Sequence, residues 1–294
     1  MEYAYYPGCS LESTGKPYDM SIREVFGQLD LKLREIEDWN CCGATMYMSV
    51  NKIVGFAVSA RNLALAQSMG CDICAPCSSC YTILRKTNRH LEWNLHSRTL
   101  INEALKAANL SYNKMVEVRH PLDILVNDVG IERIREACRF EFDGLRVAPY
   151  YGCQIVRPVY HFDDMDDPTT MDMLLGALGA KVVDFPDKIR CCGGMLMTTY
   201  EEVALNLNNH LLRCAEDNGA EVIATVCPLC QMNLEAYQPQ INKKYNLNHR
   251  MPIVYFSQLL ALALGIEPRK IGMDSLFIEA TNLKLKPKAE AVSV

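Results

Sequence analysis

With 294 residues the chain can bury a sizeable core and fill two domains of ordinary size. Hydrophobic residues make up 49% and charged residues 22%, an ordinary soluble balance, and a net charge of -5 with a pI near 5.7 argues against the basic face that non-specific nucleic-acid binding needs. The fourteen cysteines are too sparse for a small disulfide scaffold, the opening MEYAYYPGCS lacks a secretory leader's basic-then-apolar pattern, and the longest apolar stretch, Leu259 to Ile266, is too short for a direct membrane span; the expectation is a cytoplasmic chain whose thiols serve metal or catalysis.

In chain order, a first strand leads into Tyr5-Tyr6-Pro7-Gly8-Cys9, and a helix and a second strand follow before Cys41-Cys42-Gly43. From Ile53 to Met69 the apolar residues Ile53, Phe56, Ala57, Ala60, Leu63 and Ala64 recur at helical spacing, and Gly70 closes the helix. Another short strand runs into Cys77-x-x-Cys80 and a helix. Residues 91–145 then read as mostly helical. The pattern begins again with the β-rich run Val147 to Tyr151 and Cys153, a loop insertion around His161–Pro168, and Cys191-Cys192-Gly193. It continues with the strand Val222 to Val226, then Cys227-x-x-Cys230, a second mostly helical stretch over 236–275, and a Lys- and Ala-rich tail after about Asn282 that is either an arm or poorly ordered.

The two series are one motif written twice. The gap from Cys42 to Cys77 is 34 residues, as is that from Cys192 to Cys227; the opening gaps, 31 and 37 residues, differ by the loop insertion. The flanks repeat as well: Asp123-Ile124-Leu125 through Gly130-Ile131-Glu132 matches Gln258-Leu259-Leu260 through Gly265-Ile266-Glu267. The predicted fold class is α/β: two pseudo-symmetric repeats, 1–145 and 146–294, each with a short parallel sheet flanked by helices and its cysteine loops at strand ends, where such folds place their sites.

A structural zinc takes four ligands, and so does an ordinary four-iron cubane. Each repeat offers five cysteines, two of them adjacent. Adjacent side chains in an extended segment point to opposite faces, so a turn at Gly43 or Gly193 is needed to bring both thiolates inward. They then suit different irons of one cluster, or a bridge between two irons. Helices starting just after each CCG and CxxC would direct their partly positive N-termini at an anionic centre. Two structural zinc sites, or zinc in one half and iron–sulfur in the other, remain the alternatives. The run Cys71, Cys74, Cys77, Cys80 is not read as a ferredoxin cubane, because Tyr81 follows where that motif has proline, and because Cys71 and Cys74 correspond to Glu221 and Ala224 in the second repeat. Cys71 and Cys74 are expected on a buried strand, and Cys138 and Cys214 in helical cores.

The duplicated C…CCG…CxxC pattern resembles the cysteine-rich CCG-domain family, and over the whole chain its heterodisulfide reductase B-subunit branch. That resemblance implies two non-cubane [4Fe-4S] clusters, one held by Cys9, Cys41, Cys42, Cys77 and Cys80, the other by Cys153, Cys191, Cys192, Cys227 and Cys230; the alternative is one [4Fe-4S] cluster plus one zinc. It implies reductive cleavage of the coenzyme M–coenzyme B disulfide in methanogenesis. The sequence has no GxGxxG fingerprint, no P-loop and no flavin motif. Electrons are therefore expected from a ferredoxin-like subunit with cubane clusters, absent ahead of Cys9 and so a separate chain, linked to a flavin-containing subunit and a hydrogenase or formate dehydrogenase module. Candidate contacts for an anionic substrate are Lys16, Arg157, His161, Lys188 and Arg190, with Gly193 and Gly194 allowing close backbone approach. His90, His96, His120, His210 and His249 read as structural. The competing functional reading is a non-catalytic iron–sulfur relay subunit of a lactate, glycerol-phosphate or quinone-linked oxidoreductase.

Overall fold

The computed structural model describes residues 1–44, 47–113, 116–157 and 163–288. Two four-stranded parallel sheets carry the fold. The first joins β1 (Glu2–Tyr5), β2 (Lys32–Glu35), β3 (Ile73–Cys74) and β4 (Val118–Arg119) in the order β2-β1-β3-β4. A strand pair, β5 (Phe140–Phe142) with β10 (Leu285–Pro287), lies apart from them, and the second sheet joins β6 (Arg146–Tyr150), β7 (Lys181–Val182), β8 (Val222–Thr225) and β9 (Ile253–Tyr255) in the order β7-β6-β8-β9. The registers repeat too: Ala4 faces Ile73 as Ala148 faces Ile223. Central strands such as Val222–Thr225 are buried at every residue, as strands covered on both faces must be, while the edge strand Lys32–Glu35 is mostly exposed.

The helix expected after the first CCG forms over Lys52–Met69. Asn51, in an extended conformation, caps it by accepting the Ile53 and Val54 amides at 3.1 and 3.2 Å, and Gly70 at φ +68° ends it. Such a cap contributes about 1 kcal/mol. Cys74 lies on buried β3, Cys71 just ahead of it, Cys138 behind the helix Ile131–Ala137, and Cys214 inside the helix Glu201–Asp217.

The stretches 91–145 and 236–275 are mostly helical, as expected, and each also contributes the fourth strand of its sheet, β4 or β9, the first holding β5 as well. Two- and three-residue strands are too short to show an alternating pattern against long helices. The tail runs as an ordered strand through Pro287: Leu285, Lys286 and Pro287 pair antiparallel with Phe142, Glu141 and Phe140. Of the loop insertion, residues 163–168 form an irregular turn; His161 lies outside the described residues.

The repeats share a core. Tyr18, from the helix Lys16–Gln28, stacks on Tyr255 at the end of β9, ring centroids 4.3 Å apart and planes 2° from parallel. Ser21 and Ser257 join the same two segments at 2.6 Å. Among the described residues, no helix is long and apolar enough to cross a membrane.

Candidate functional site

All six cysteine loops leave the carboxyl ends of parallel strands. Cys9, Cys41 and Cys77 follow β1, β2 and β3, while Cys153, Cys191 and Cys227 follow β6, β7 and β8. A parallel sheet gathers its ligand-binding loops at this end. The fourth strands end on Arg119 and Tyr255; His120, directly after the first, and Tyr255 face the seam between the repeats.

Each loop is shaped by a local requirement. After β1 the chain turns at Gly8 (φ +68°), and after β6 at Gly152 (φ +64°). A Cβ at Gly8 would lie 3.0 Å from Cys80 Sγ, and one at Gly152 would lie 3.1 Å from Cys230 Sγ. Glycine thus makes room for sulfur and accepts the backbone angle. The turn glycines Gly43 and Gly193 adopt φ +82° and +89°. Tyr6 donates its hydroxyl to Asn40 O at 2.8 Å and Tyr150 donates to Arg190 O at 2.7 Å, so a buried phenol braces the residue before each cysteine pair. Burial, and then the surrounding thiols, keep both phenols protonated. Cys77 and Cys227 sit at the N-caps of the helices Ser78–Trp93 and Pro228–Glu235, placing Cys80 and Cys230 in their first turns, where the helix dipole favours thiolates. The helices beyond the CCG loops differ from expectation. The first full one begins at Lys52, and the second repeat inserts the 3-10 turn Gly194–Thr198 before the helix Glu201–Asp217, so only the CxxC helices start directly at the cysteines.

The thiols touch one another in an unbroken series. Cys41 bonds Cys42, Cys42 bonds Cys80, and Cys80 bonds Cys77. Cys77 and Cys227 act on each other's ionisation across the seam, as do Cys227 and Cys230, and Cys192 meets Cys230 at 3.5 Å. Cys153 and Cys191 form a further pair. The hydrogen bond from Cys41 brings Cys42 down to about 4, and that from Cys153 brings Cys191 down to about 6. Bonds from Cys230 and Cys77 hold Cys227 well below its ordinary value, while those donors are held above theirs. Cys42, Cys191 and Cys227 are thus the thiols whose neighbours most favour the thiolate, and sulfur donors suit iron or zinc. All fourteen cysteines are free of disulfides. Among the described residues, no three His, Cys, Asp or Glu side chains are grouped tightly enough for a single metal ion.

Further hydrogen bonds tie the seam. Ser78 Oγ donates to Val226 O at 3.2 Å and Thr82 Oγ1 to Gln154 O at 2.7 Å. His120 bridges the CxxC loops, with Nε2 2.8 Å from Pro76 O and 3.3 Å from Val226 O, while its Nδ1 accepts the Leu122 amide at 3.2 Å. Burial lowers it to about 4, so the ring is neutral and Nε2 carries the proton. A cavity of about 250 Å³ opens beside this seam, lined by all five cysteines of the second set and by Ala44, Ser78 and Ser79 of the first repeat.

Of the residues expected to contact substrate, Gly194 lines this cavity. Lys188 pairs with Asp167 at 2.6 Å and Asp172 at 3.6 Å, and Arg190 with Asp187 at 3.0 Å. Gly193 is buried, Arg157 is exposed, and Lys16 lies in a charged groove with Glu12, Asp19 and Glu35. Sequence reasoning missed Tyr6, Tyr150, Asn208 and Asn233. The two asparagines are both buried, and both donate to Cys192 O, at 2.9 and 3.3 Å. Their one sequence signal is the i+3 spacing of Asn233 from Cys230, which places both on one helix face.

Comparison with known proteins follows the same duplication. The cysteine-rich CCG domain model matches residues 3–85 and 147–235. The chain is 34% identical to the 8-methylmenaquinol:fumarate reductase membrane anchor subunit of Wolinella succinogenes, covering 96% of this chain and 99% of that one. It is 30% identical to a protein of Archaeoglobus profundus that is like the heterodisulfide reductase B subunit, over 92% and 93% of the two chains. It is 28% identical to the B subunit of the ferredoxin:CoB-CoM heterodisulfide reductase of Methanosarcina mazei, over 97% and 96%. A crystal structure of a hypothetical protein from Helicobacter pylori shares the fold with a TM-score of 0.75 at 17% identity; the match covers 95% of this chain and about half, 52%, of that one.

Proposed function

The chain belongs to the cysteine-rich CCG domain family, and from that membership we propose that it is the catalytic subunit of a heterodisulfide reductase, cleaving the mixed disulfide of coenzyme M and coenzyme B at two non-cubane [4Fe-4S] clusters. Cys9, Cys41, Cys42, Cys77 and Cys80 would hold one cluster, and Cys153, Cys191, Cys192, Cys227 and Cys230 the other. The units 1–145 and 146–294 each supply one set. The donor chemistry fits: each set has five thiols, Gly8 and Gly152 leave space against a ligand sulfur, and no disulfide competes.

The observation that carries this reading is the thiol series through Cys77 and Cys227, which brings both sets to one seam. Cleaving S–S takes two electrons, and each bound cluster would supply one. The chain's own residues do the rest. The cavity enclosed by the second set's five cysteines would take that set's cluster, and the disulfide would approach it from the side walled by Ala44, Ser78 and Ser79. Ser78 and Ser79 present hydroxyls from the first repeat, Gly194 lets the backbone approach, and Arg157, Lys16, Lys188, Arg190 and His161 are the candidate cations for the anionic ends. Electrons come from a ferredoxin-like subunit with cubane clusters, served by a flavin-containing subunit and a hydrogenase or formate dehydrogenase module, in the cytoplasm of a methanogenic cell.

A second reading, an electron-relay subunit of a quinone-linked oxidoreductase, is favoured by the relative from Wolinella succinogenes and by a groove of about 680 Å³ beside Cys41, walled by Trp39, Val58 and Leu105. Iron and zinc analysis of anaerobically purified protein, with EPR during titration by coenzyme M thiol or by a menaquinol, separates the two. About eight irons per chain and a signal altered by the thiol support the disulfide reductase. A signal that responds to the menaquinol alone supports the relay. About four irons with one zinc ends the two-cluster mechanism.

A further inference from the structure

Two buried amides reach Cys192 itself in the second CCG loop, whereas in the first repeat the buried Asn62 holds Asn40, ahead of the cysteine pair. Asn233 and Asn208 correspond, 150 residues earlier, to Ile83 and Val58, neither of which has a polar side-chain atom. Asn233 is 2% exposed and Asn208 not at all. Asn233 Nδ2 lies 3.5 Å from Cys192 Sγ, 2.8 Å from Gly194 O and 3.3 Å from Cys192 O. Asn208 Nδ2 donates to Cys192 O at 2.9 Å and Ala204 O at 2.7 Å, fixing the same cysteine from the opposite helix. An N–H aimed at a ligand sulfur draws negative charge off it, and so stabilises the state that carries one more electron. Such supporting hydrogen bonds tune a metal centre as the ligands themselves do.

We propose that Asn233 makes the second-repeat centre the stronger electron acceptor of the two, so that the first electron supplied to the protein settles on Cys192's side of the seam. Ile83, at the same place in the first repeat, offers no side-chain donor, so among the described residues the Cys42 sulfur has, beyond its neighbouring thiols, only the backbone amides of its own loop, and that centre is the weaker acceptor. Asn233 is a positioning and tuning residue: it touches the ligand sulfur, and no bond or proton changes at it. The electron is supplied by a low-potential iron–sulfur donor protein in the cell, or by dithionite through mediators in the test. The inference rests on the two-cluster reading above.

The test is a potentiometric EPR titration of the full chain, loaded with iron anaerobically, as wild type, Asn233→Leu and Ile83→Asn, with iron measured on each sample. The wild type should show two midpoints. Asn233→Leu should lower the upper one by about 59 mV, a tenfold change in its reduced-to-oxidised ratio for a one-electron couple, and leave the lower one in place. Ile83→Asn should raise the lower one, and it decides the matter if Asn233→Leu fails to fold. Midpoints that stay put while iron is retained overturn the inference alone, as does a shift confined to the lower midpoint in Asn233→Leu. A wild type with fewer than two clusters overturns the two-cluster reading, and the inference with it.

Discussion

Cys77 and Cys227 hold the same place in the two repeats, each at the N-cap of its CxxC helix, and their thiols lie near enough across the seam to shift each other's ionisation. Both are 4% exposed. The two cysteine sets therefore meet through equivalent residues.

Cys227→Ser tests that coupling. Iron should fall from about eight to about four per chain as the second cluster is lost. The EPR signal left by the first repeat should also shift, because Cys77 has lost its sulfur partner. Metal analysis with EPR checks both, and an unchanged first-repeat signal would show that the sets act separately.

Gly8→Ala and Gly152→Ala each drive a methyl to about 3 Å from a ligand sulfur, with φ positive. Each should deplete iron from its own repeat and spare the other. The backbone term alone is about 1–2 kcal/mol. Iron content and thermal melting of the two variants test the pairing of Gly8 with Cys80 and of Gly152 with Cys230.

Tyr255 stacks on Tyr18, yet among the described residues its buried hydroxyl has no hydrogen-bond partner. Tyr255→Phe keeps the stack and removes an unsatisfied polar atom, so it should stabilise the chain by about 1 kcal/mol. Tyr18→Phe, which loses the 3.4 Å contact with His120, should not. Denaturant unfolding of the two variants checks the sign.

Glu235, fully buried, is raised from 4.5 to about 7 by burial, against hydrogen bonds from the Ile278 and Phe277 amides. The folded state binds this proton more tightly than the unfolded one. The group's contribution is therefore fully present below about 4.5 and is lost as pH rises through about 7, about 3 kcal/mol across the window. Glu235→Gln should flatten that part of the stability profile. Melting curves from pH 4.5 to 8 on both proteins measure the difference, and parallel profiles would show that Glu235 does not titrate there.

The duplication was legible because cysteine spacing is a one-dimensional record. Equal gaps between Cys42 and Cys77 and between Cys192 and Cys227 place the loops at equivalent strand ends without any knowledge of packing. The helix Lys52–Met69 was legible from its period and from Gly70. The fourth strands were not, since Val118–Arg119 spans too little chain for an alternating pattern, although the β-rich run Ile253–Tyr255 carried a signal. The seam was also hidden. Ser21 with Ser257, and Tyr18 with Tyr255, are ordinary residues until two distant segments meet. Asn233 reads in isolation as a polar helix residue, and only the fold sets its amide against Cys192.

The pairing of Leu285–Pro287 with Phe140–Phe142 bears on how the molecule is made. During synthesis the stretch between the repeats emerges long before its strand partner, and Tyr18 waits longer still for Tyr255. A ribosome releases domains in order, and the first repeat can collapse early. Its share of the seam, with Cys77 facing Cys227, stays open until the second repeat arrives. A translation product stalled after the first repeat would thus leave Cys77 without Cys227 and expose that share of the seam to solvent.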